Sequence, residues 1–230
     1  MSPTRPQSQG KRAVGKRAVG KRATARAATE KKIIEAAERQ LAEVGASGIS
    51  LRKVAQDVGM APSALYRYYN GIDQLYTAMI IRAFNEQTAA VQAAFDAHAT
   101  PPPTTWDDTV ELVVLLAMTL RQWALDNPHK YALIYGTPVP GYKAPQDTIP
   151  PAAGVGRIFA ASCVYLTDGV VYDPMDYLPE YMASFFVAIY GVISFELFGH
   201  LVGVVDDPAV FLRHTVENNL ELLRSHFPGK

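Results

Sequence analysis

The stretch SLRKVAQDVGMAPSALYRYY, residues 50–69, decides how the rest of the chain is read. Ser50 stands where a hydroxyl caps a helix start, LRKVAQDV follows, and Gly59 stops it. Pro62 then falls where a first-turn proline is tolerated, and SALYRYYN runs on until Asn70-Gly71. Two short helices joined by a tight glycine turn, with a longer helix ahead of them, have the anatomy of a helix-turn-helix. Leu51, Val54, Ala55, Val58 and Leu65 form the expected small core between them. Ser50, Arg52, Lys53, Pro62, Ser63, Tyr66, Arg67 and Tyr68 point outward in this reading. Their hydroxyl and guanidinium groups suit phosphate oxygens and base edges. Composition alone leaves open a helical hairpin whose Arg and Tyr are only a solvated face.

Working outward, nearly every segment after residue 24 has helical period, and no run alternates as a strand would. A first helix over 24–44 puts Ile33, Ile34, Ala37, Leu41 and Val44 on one face and ends at Gly45. A long fourth helix covers 72–98 and stops before Pro101-Pro102-Pro103. Helices over 105–126 and 128–136 follow, the first with Asp107 and Asp108 suited to its N-terminal dipole. The proline-rich 137–151 does not fit a regular helix, and helices over 153–167, 178–204 and 208–226 complete the chain. The expectation is an all-α protein of about nine helices in three parts. These are a basic arm (1–23), a three-helix helix-turn-helix domain (24–82) and a second helical domain (83–230).

From Glu30 to Ile80, EKKIIEAAERQLAEVGASGISLRKVAQDVGMAPSALYRYYNGIDQLYTAMI resembles the DNA-binding domain of TetR-type transcriptional regulators. Gly45, Ser50, Ala55, Gly59, Leu65-Tyr66, Tyr68-Tyr69 and Leu75 carry the likeness, dense and in order. The resemblance implies phosphate contacts from Ser50, Tyr66 and Tyr68, and base-edge or phosphate contacts from Pro62, Ser63 and Arg67. It departs at Ile72, where family members commonly place a backbone-binding Lys. Arg67 is the only residue of the recognition helix able to make a bidentate guanine contact, and small Ala61, Pro62, Ser63 and Ala64 suit thymine methyls and DNA shape.

The formal charge of zero hides an asymmetry. Residues 1–32 hold ten Lys/Arg against Glu30, a net +9, which leaves 12 basic and 21 acidic residues, −9, for the remainder. Within 33–82 five basic residues face five acidic ones, so the helix-turn-helix itself has no positive field. The arm supplies one. KRAVGKRAVGKRA, residues 11–23, repeats a five-residue unit whose period does not match a helix and whose glycines oppose one, so the arm is expected to be disordered. Its Lys11, Arg12, Lys16, Arg17, Lys21 and Arg22 are candidate DNA contacts that track the backbone or enter the minor groove.

The C-terminal half resembles the ligand-binding part of the same family, in particular regulators with a Trp-His-Gly signature near the penultimate helix. AIYGVISFELFGHL matches at Gly191 and Glu196-Leu197, while Tyr190 replaces the His and the Trp is missing. The resemblance implies a homodimer through the last two helices, with Gly191, Gly199 and Gly203 allowing close backbone approach. An effector pocket is expected from Met118, Trp123, Tyr131, Tyr135, Phe159, Cys163, Phe185, Phe186 and Ile189, aromatic and nearly uncharged, for a small apolar or aromatic molecule. Cys163 reads as a buried small hydrophobe.

No catalytic constellation, cofactor motif or metal-ligand spacing stands out, so neither an enzyme nor a cofactor is expected. The apolar FFVAIYGVISFELFGHLVGVV, 185–205, carries Glu196 and His200, which argues for a buried interface helix over a membrane span. The expected protein is a cytoplasmic regulator, a repressor, that binds double-stranded DNA at a palindrome and answers a small-molecule effector. The rival reading is a small-molecule-binding or protein-interaction module without a DNA role.

Overall fold

The computed structural model describes residues 9–165, 173 and 179–227, with side chains from Ala23 onward. The described residues form ten α-helices and two 3-10 turns, and no strand, one helix more than expected. The chain divides into two compact units after Leu75, ahead of the expected boundary at residue 82. Just past that division Tyr76 packs edge-on against Tyr142, and the Thr77 hydroxyl lies 2.9 Å from the Tyr142 hydroxyl.

In the first unit α1 spans Gln9–Val44, so the helix begins inside the segment expected to be disordered. Lys, Arg and Ala dominate that segment, and their summed helix preference outweighs the glycines between them. Ile33, Ile34, Ala36, Ala37 and Leu41 bury one face of α1. Val44, expected on that face, is 56% exposed because it ends the helix and covers only the backbone of Gly48. Gly45 reverses the chain with φ 71°, and a 3-10 turn (Ala46–Gly48) leads to α2, Leu51–Asp57.

The α2 terminus is closed by glycine chemistry. Met60 N–H donates to the Ala55 carbonyl and Gly59 N–H to the Gln56 carbonyl, with Gly59 at φ 70°. This double bond pattern needs a left-handed residue that only glycine adopts cheaply. The next helix, α3, is a single turn, Pro62–Leu65, shorter than the expected SALYRYYN. Arg67 and Tyr68 continue it through bonds to carbonyls three residues back, a tighter winding. Val54, Ala55 and Leu65 are fully buried between the helices, while Leu51 and Val58 are half-buried.

One polar side chain in this core was not singled out by the sequence. Gln40 is 1% exposed on α1. Its Oε1 accepts from Ser50 N–H at 3.1 Å and its Nε2 donates to Asp57 Oδ2 at 3.0 Å. It thereby ties both ends of α2 to α1.

The chain passes into the second unit within α4, Ile72–His98. There follow α5 (Trp106–Asp126), α6 (Pro128–Tyr135), α7 (Ile149–Ala152), α8 (Gly154–Ser162), α9 (Glu180–Leu197) and α10 (Pro208–Arg224). Thr105 starts α5 with a reciprocal cap, accepting from Asp108 N–H at 3.1 Å while Asp108 accepts from Thr105 N–H at 3.2 Å. Asp207 caps α10 through Ala209 N–H and Val210 N–H. The proline-rich segment does contain a helical turn, α7, because Pro150 and Pro151 fall in its first turn, where no N–H is needed.

The core of this unit joins Leu116, Leu120, Tyr131, Phe159, Ile189, Ile193, Leu212 and Leu220, all nearly inaccessible. α9 stops at Leu197, short of the expected 204, because Gly199 takes φ 80° and His200 N–H turns back to the Phe195 carbonyl. Gly203 is likewise left-handed at φ 73°, so both residues serve the turn between α9 and α10. Arg121 of α5 meets Glu196 of α9 in a two-pronged pair, Nε to Oε2 at 2.7 Å and Nη2 to Oε1 at 2.5 Å. Both side chains are largely buried, at 16% and 14% exposed.

Gln40→Leu keeps the volume of the side chain but leaves Ser50 N–H and the Asp57 carboxylate without their partner. It is expected to cost about 1–3 kcal/mol. Urea denaturation followed by circular dichroism checks this, the first unfolding midpoint moving to lower urea.

Candidate nucleic-acid interface and effector cleft

The outward surface of α2 and α3 collects the residues expected to touch DNA. Ser50, Arg52, Pro62, Ser63, Tyr66 and Arg67 are all exposed. Ser50 occupies the cap position of α2, yet its side chain makes no capping bond. Gln40 holds the Ser50 backbone N–H, and the exposed Ser50 hydroxyl stands at a helix N-terminus, a favourable place for a phosphate. Tyr66, half exposed at 51%, follows the last residue of α3, and its position is set by fully buried Leu65 beside it.

Tyr68 departs from this pattern. It is half-buried, with the Arg26 guanidinium over its ring at 5.2 Å from the centroid. Arg26 also pairs with Glu30 at 2.8 Å. The structure thus adds Arg26 to the basic groups beside the recognition helix, and ties the start of the packed part of α1 to that helix's end. Lys53 is exposed, and its charge is partly answered by Asp57 at 3.9 Å. For Lys11, Arg12, Lys16, Arg17, Lys21 and Arg22 the backbone is helical in α1, and their side chains lie outside those described.

In the second unit a cleft of about 350 Å³ opens between α4, α6, α8 and α9. Phe84, Tyr135, Ala152, Ala153, Gly156, Ala183, Phe186, Val187 and Tyr190 line it, none of them charged. Of the nine residues expected to form a pocket, Tyr135 and Phe186 stand in this wall. Trp123, Tyr131, Phe159, Cys163, Phe185 and Ile189 are buried in the core, and Met118 packs on it. Phe84, Tyr190 and the small residues of α7 and α8 were missed. Apolar helical spacing does not separate a core face from a cleft wall, so only the three-dimensional arrangement picks them out.

The aromatic wall is continuous. The Tyr135 ring lies 5.9 Å from Phe84, 4.8 Å from Tyr131 and 4.7 Å from Tyr190. Tyr131 shares a hydrogen bond with Ser194 at 2.8 Å, and burial pushes its phenol up to about 12. Burial likewise raises the Tyr135 and Tyr190 phenols. The Tyr135 hydroxyl donates to Gln87 Oε1 at 2.9 Å. Cys163 sits in the core with its thiol pushed up to about 11 by burial, an inert thiol as expected.

Comparison with known proteins agrees with this arrangement. Residues 33–79 match the family described as bacterial regulatory proteins of the tetR family. Residues 113–218 match the tetracyclin repressor-like C-terminal domain. An HTH-type transcriptional regulator of Mycobacterium tuberculosis (strain H37Rv) is 34% identical over 205 residues, covering 78% of this chain and 85% of its own. A regulator of Mycobacterium bovis matches to the same extent. The crystal structure of the regulatory protein SCO4313 superposes with a TM-score of 0.70 at 33% identity, over 86% of this chain and 98% of that one. The TetR family regulator PfmR of Thermus thermophilus shares the fold at 14% identity and a TM-score of 0.52, over 82% and 97% of the two chains. With both halves matched, and the helix-turn-helix built as the sequence implies, this chain belongs to the TetR family of DNA-binding transcriptional regulators.

Proposed function

We propose that the protein is a ligand-responsive repressor that binds a palindromic operator as a homodimer and leaves it when a small apolar or aromatic effector binds. The observation that carries the DNA side is the exposed, unpaired cap hydroxyl of Ser50 on one surface with exposed Tyr66 and Arg67. Ser50, Tyr66 and Tyr68 hold phosphates and so fix register. Pro62, Ser63 and Arg67 face the base edges, with Arg52 at the flank. The basic repeat adds the positive field that a charge-balanced helix-turn-helix lacks, and Arg26 extends it toward Tyr68.

A recognition helix of one turn reads few base pairs, so a second copy is needed for selectivity. The surface of α9, α10 and the turn between them supports pairing there. Phe195 is 54% exposed and Val202 85% exposed, with Val187, Phe198, Val210 and Phe211 also bare. Effector binding in the cleft then acts through α4, the helix in which the chain passes from one unit to the other. It favours a conformation with the wrong half-site spacing, by a coupling of ~1–3 kcal/mol. Such a protein works in the cytoplasm, where the chromosome is.

Fluorescence anisotropy against genomic operator fragments at several salt concentrations tests the reading. Weak binding that ignores sequence at every salt would leave a small-molecule-binding or interaction module as the better account. Deleting residues 1–22 is expected to weaken binding to all sequences alike and to flatten the slope of log K against log salt. An unchanged slope removes the arm from the interface. Arg67→Ala is expected to lose about 1–3 kcal/mol at one guanine of each half-site and relax the preference there, measured with single-base operator variants. Phe195→Asp together with Val202→Asp is expected to give monomers by sedimentation velocity, with operator affinity falling in step.

A further inference from the structure

The cleft is apolar on its face and polar directly behind it. Gln87 is fully buried on α4, one turn after the lining residue Phe84. Its Oε1 accepts a hydrogen bond from the hydroxyl of Tyr135, another lining residue, while its Nε2 has no hydrogen-bond partner. One position further on, the Thr88 hydroxyl is buried and also without a partner. Thr88 packs against the backbone of Gly154, where an added Cβ would lie 2.3 Å from its Oγ1. Gly154 adjoins the lining residue Ala153, and Gly156 lines the cleft two positions on. Two polar groups therefore lie unsatisfied at the seam between Tyr135 and the bare backbone of α8. Buried donors in folded proteins are nearly always paired, so a pair of orphans beside an open cleft is unusual.

We infer that the effector is an uncharged, flat aromatic molecule carrying a hydrogen-bond acceptor oxygen, and that Gln87 is the residue that selects for that oxygen. This deepens the reading of the cleft as the effector site and rests on it. Phe84, Tyr135, Phe186 and Tyr190 supply ring faces and edges for a flat aromatic body. No lining residue carries a charge to pair with a charged ligand. The burial that raises the Tyr135 and Tyr190 phenols penalises a ligand charge in the same way. Gly156 puts no side chain on the cleft wall beside this seam. A site built around an unpaired donor discriminates strongly against analogues that lack the acceptor, because the donor then stays unpaired.

The test uses the full chain and three matched probes: 9-fluorenone, fluorene, which lacks only the carbonyl oxygen, and 9-fluorenone-4-carboxylate. Affinities are read from tryptophan fluorescence quenching. Fluorenone is expected to bind at least tenfold more tightly than fluorene, with the carboxylate weakest. In Gln87→Leu the preference for fluorenone over fluorene is expected to vanish. Equal affinity of fluorene and fluorenone for the unmutated protein, no binding of any probe, or a preference that survives in Gln87→Leu overturns the inference. The comparison on the unmutated chain decides by itself if the variant fails to fold. Operator release is followed in parallel by anisotropy. Selective fluorenone binding without release refutes the effector reading of the cleft and leaves its chemistry standing. Release by fluorene and fluorenone alike does the reverse.

Discussion

The helix-turn-helix depends on the way Gln40 holds α2 by both ends. A seven-residue helix has little cooperativity of its own and takes its direction from what it packs against. Val54 and Ala55 supply contact but little orientation, since small apolar surfaces slide. The Gln40 amide, bonded to the Ser50 backbone at one end and to Asp57 at the other, removes that freedom. The same arrangement fixes the Ser50 backbone at the start of α2. The exposed Ser50 hydroxyl makes no capping bond, so that oxygen remains for a partner outside the protein. A buried polar contact thus prepares an exposed one.

Much of this was legible because punctuation in the first half is strong. Gly45, Gly59 and Pro62 fall where the structure turns, and α4 occupies 72–98 as its apolar period predicts. Gln40 was not legible, since a single glutamine on a helix reads as a solvated residue until its partners are known. The arm misled for a related reason: its glycines argue against a helix one at a time, while Lys, Arg and Ala argue for one in sum. In the second half, Gly199 and Gly203 were read as packing glycines and proved to be left-handed turn residues. The cleft was the hardest part. Tyr131 and Tyr135 sit one turn apart on α6, yet the first is core and the second is wall.

The two units place their unsatisfied groups differently. The first leaves hydroxyls and guanidinium groups bare on an exposed surface, where they lose nothing to water while waiting for a partner. The second keeps donors behind an aromatic wall, where water is scarce and each unpaired group carries a standing penalty. The proposed affinity for a polyanion and the proposed selectivity for a small molecule call for these opposite arrangements, and the chain separates them along its length.

The Arg121–Glu196 pair has a consequence that begins before the protein is folded. α9 is the one described helix long and apolar enough to cross a bilayer, and Glu196 stands next to its last residue. In the native state its carboxylate is matched by a guanidinium and stabilises the join between α5 and α9. In a nascent chain that guanidinium is 75 residues away in sequence, and until the two helices meet the carboxylate has no such partner. The side chain that the finished fold uses as a strut therefore makes the burial of α9 and the docking of α5 favour each other.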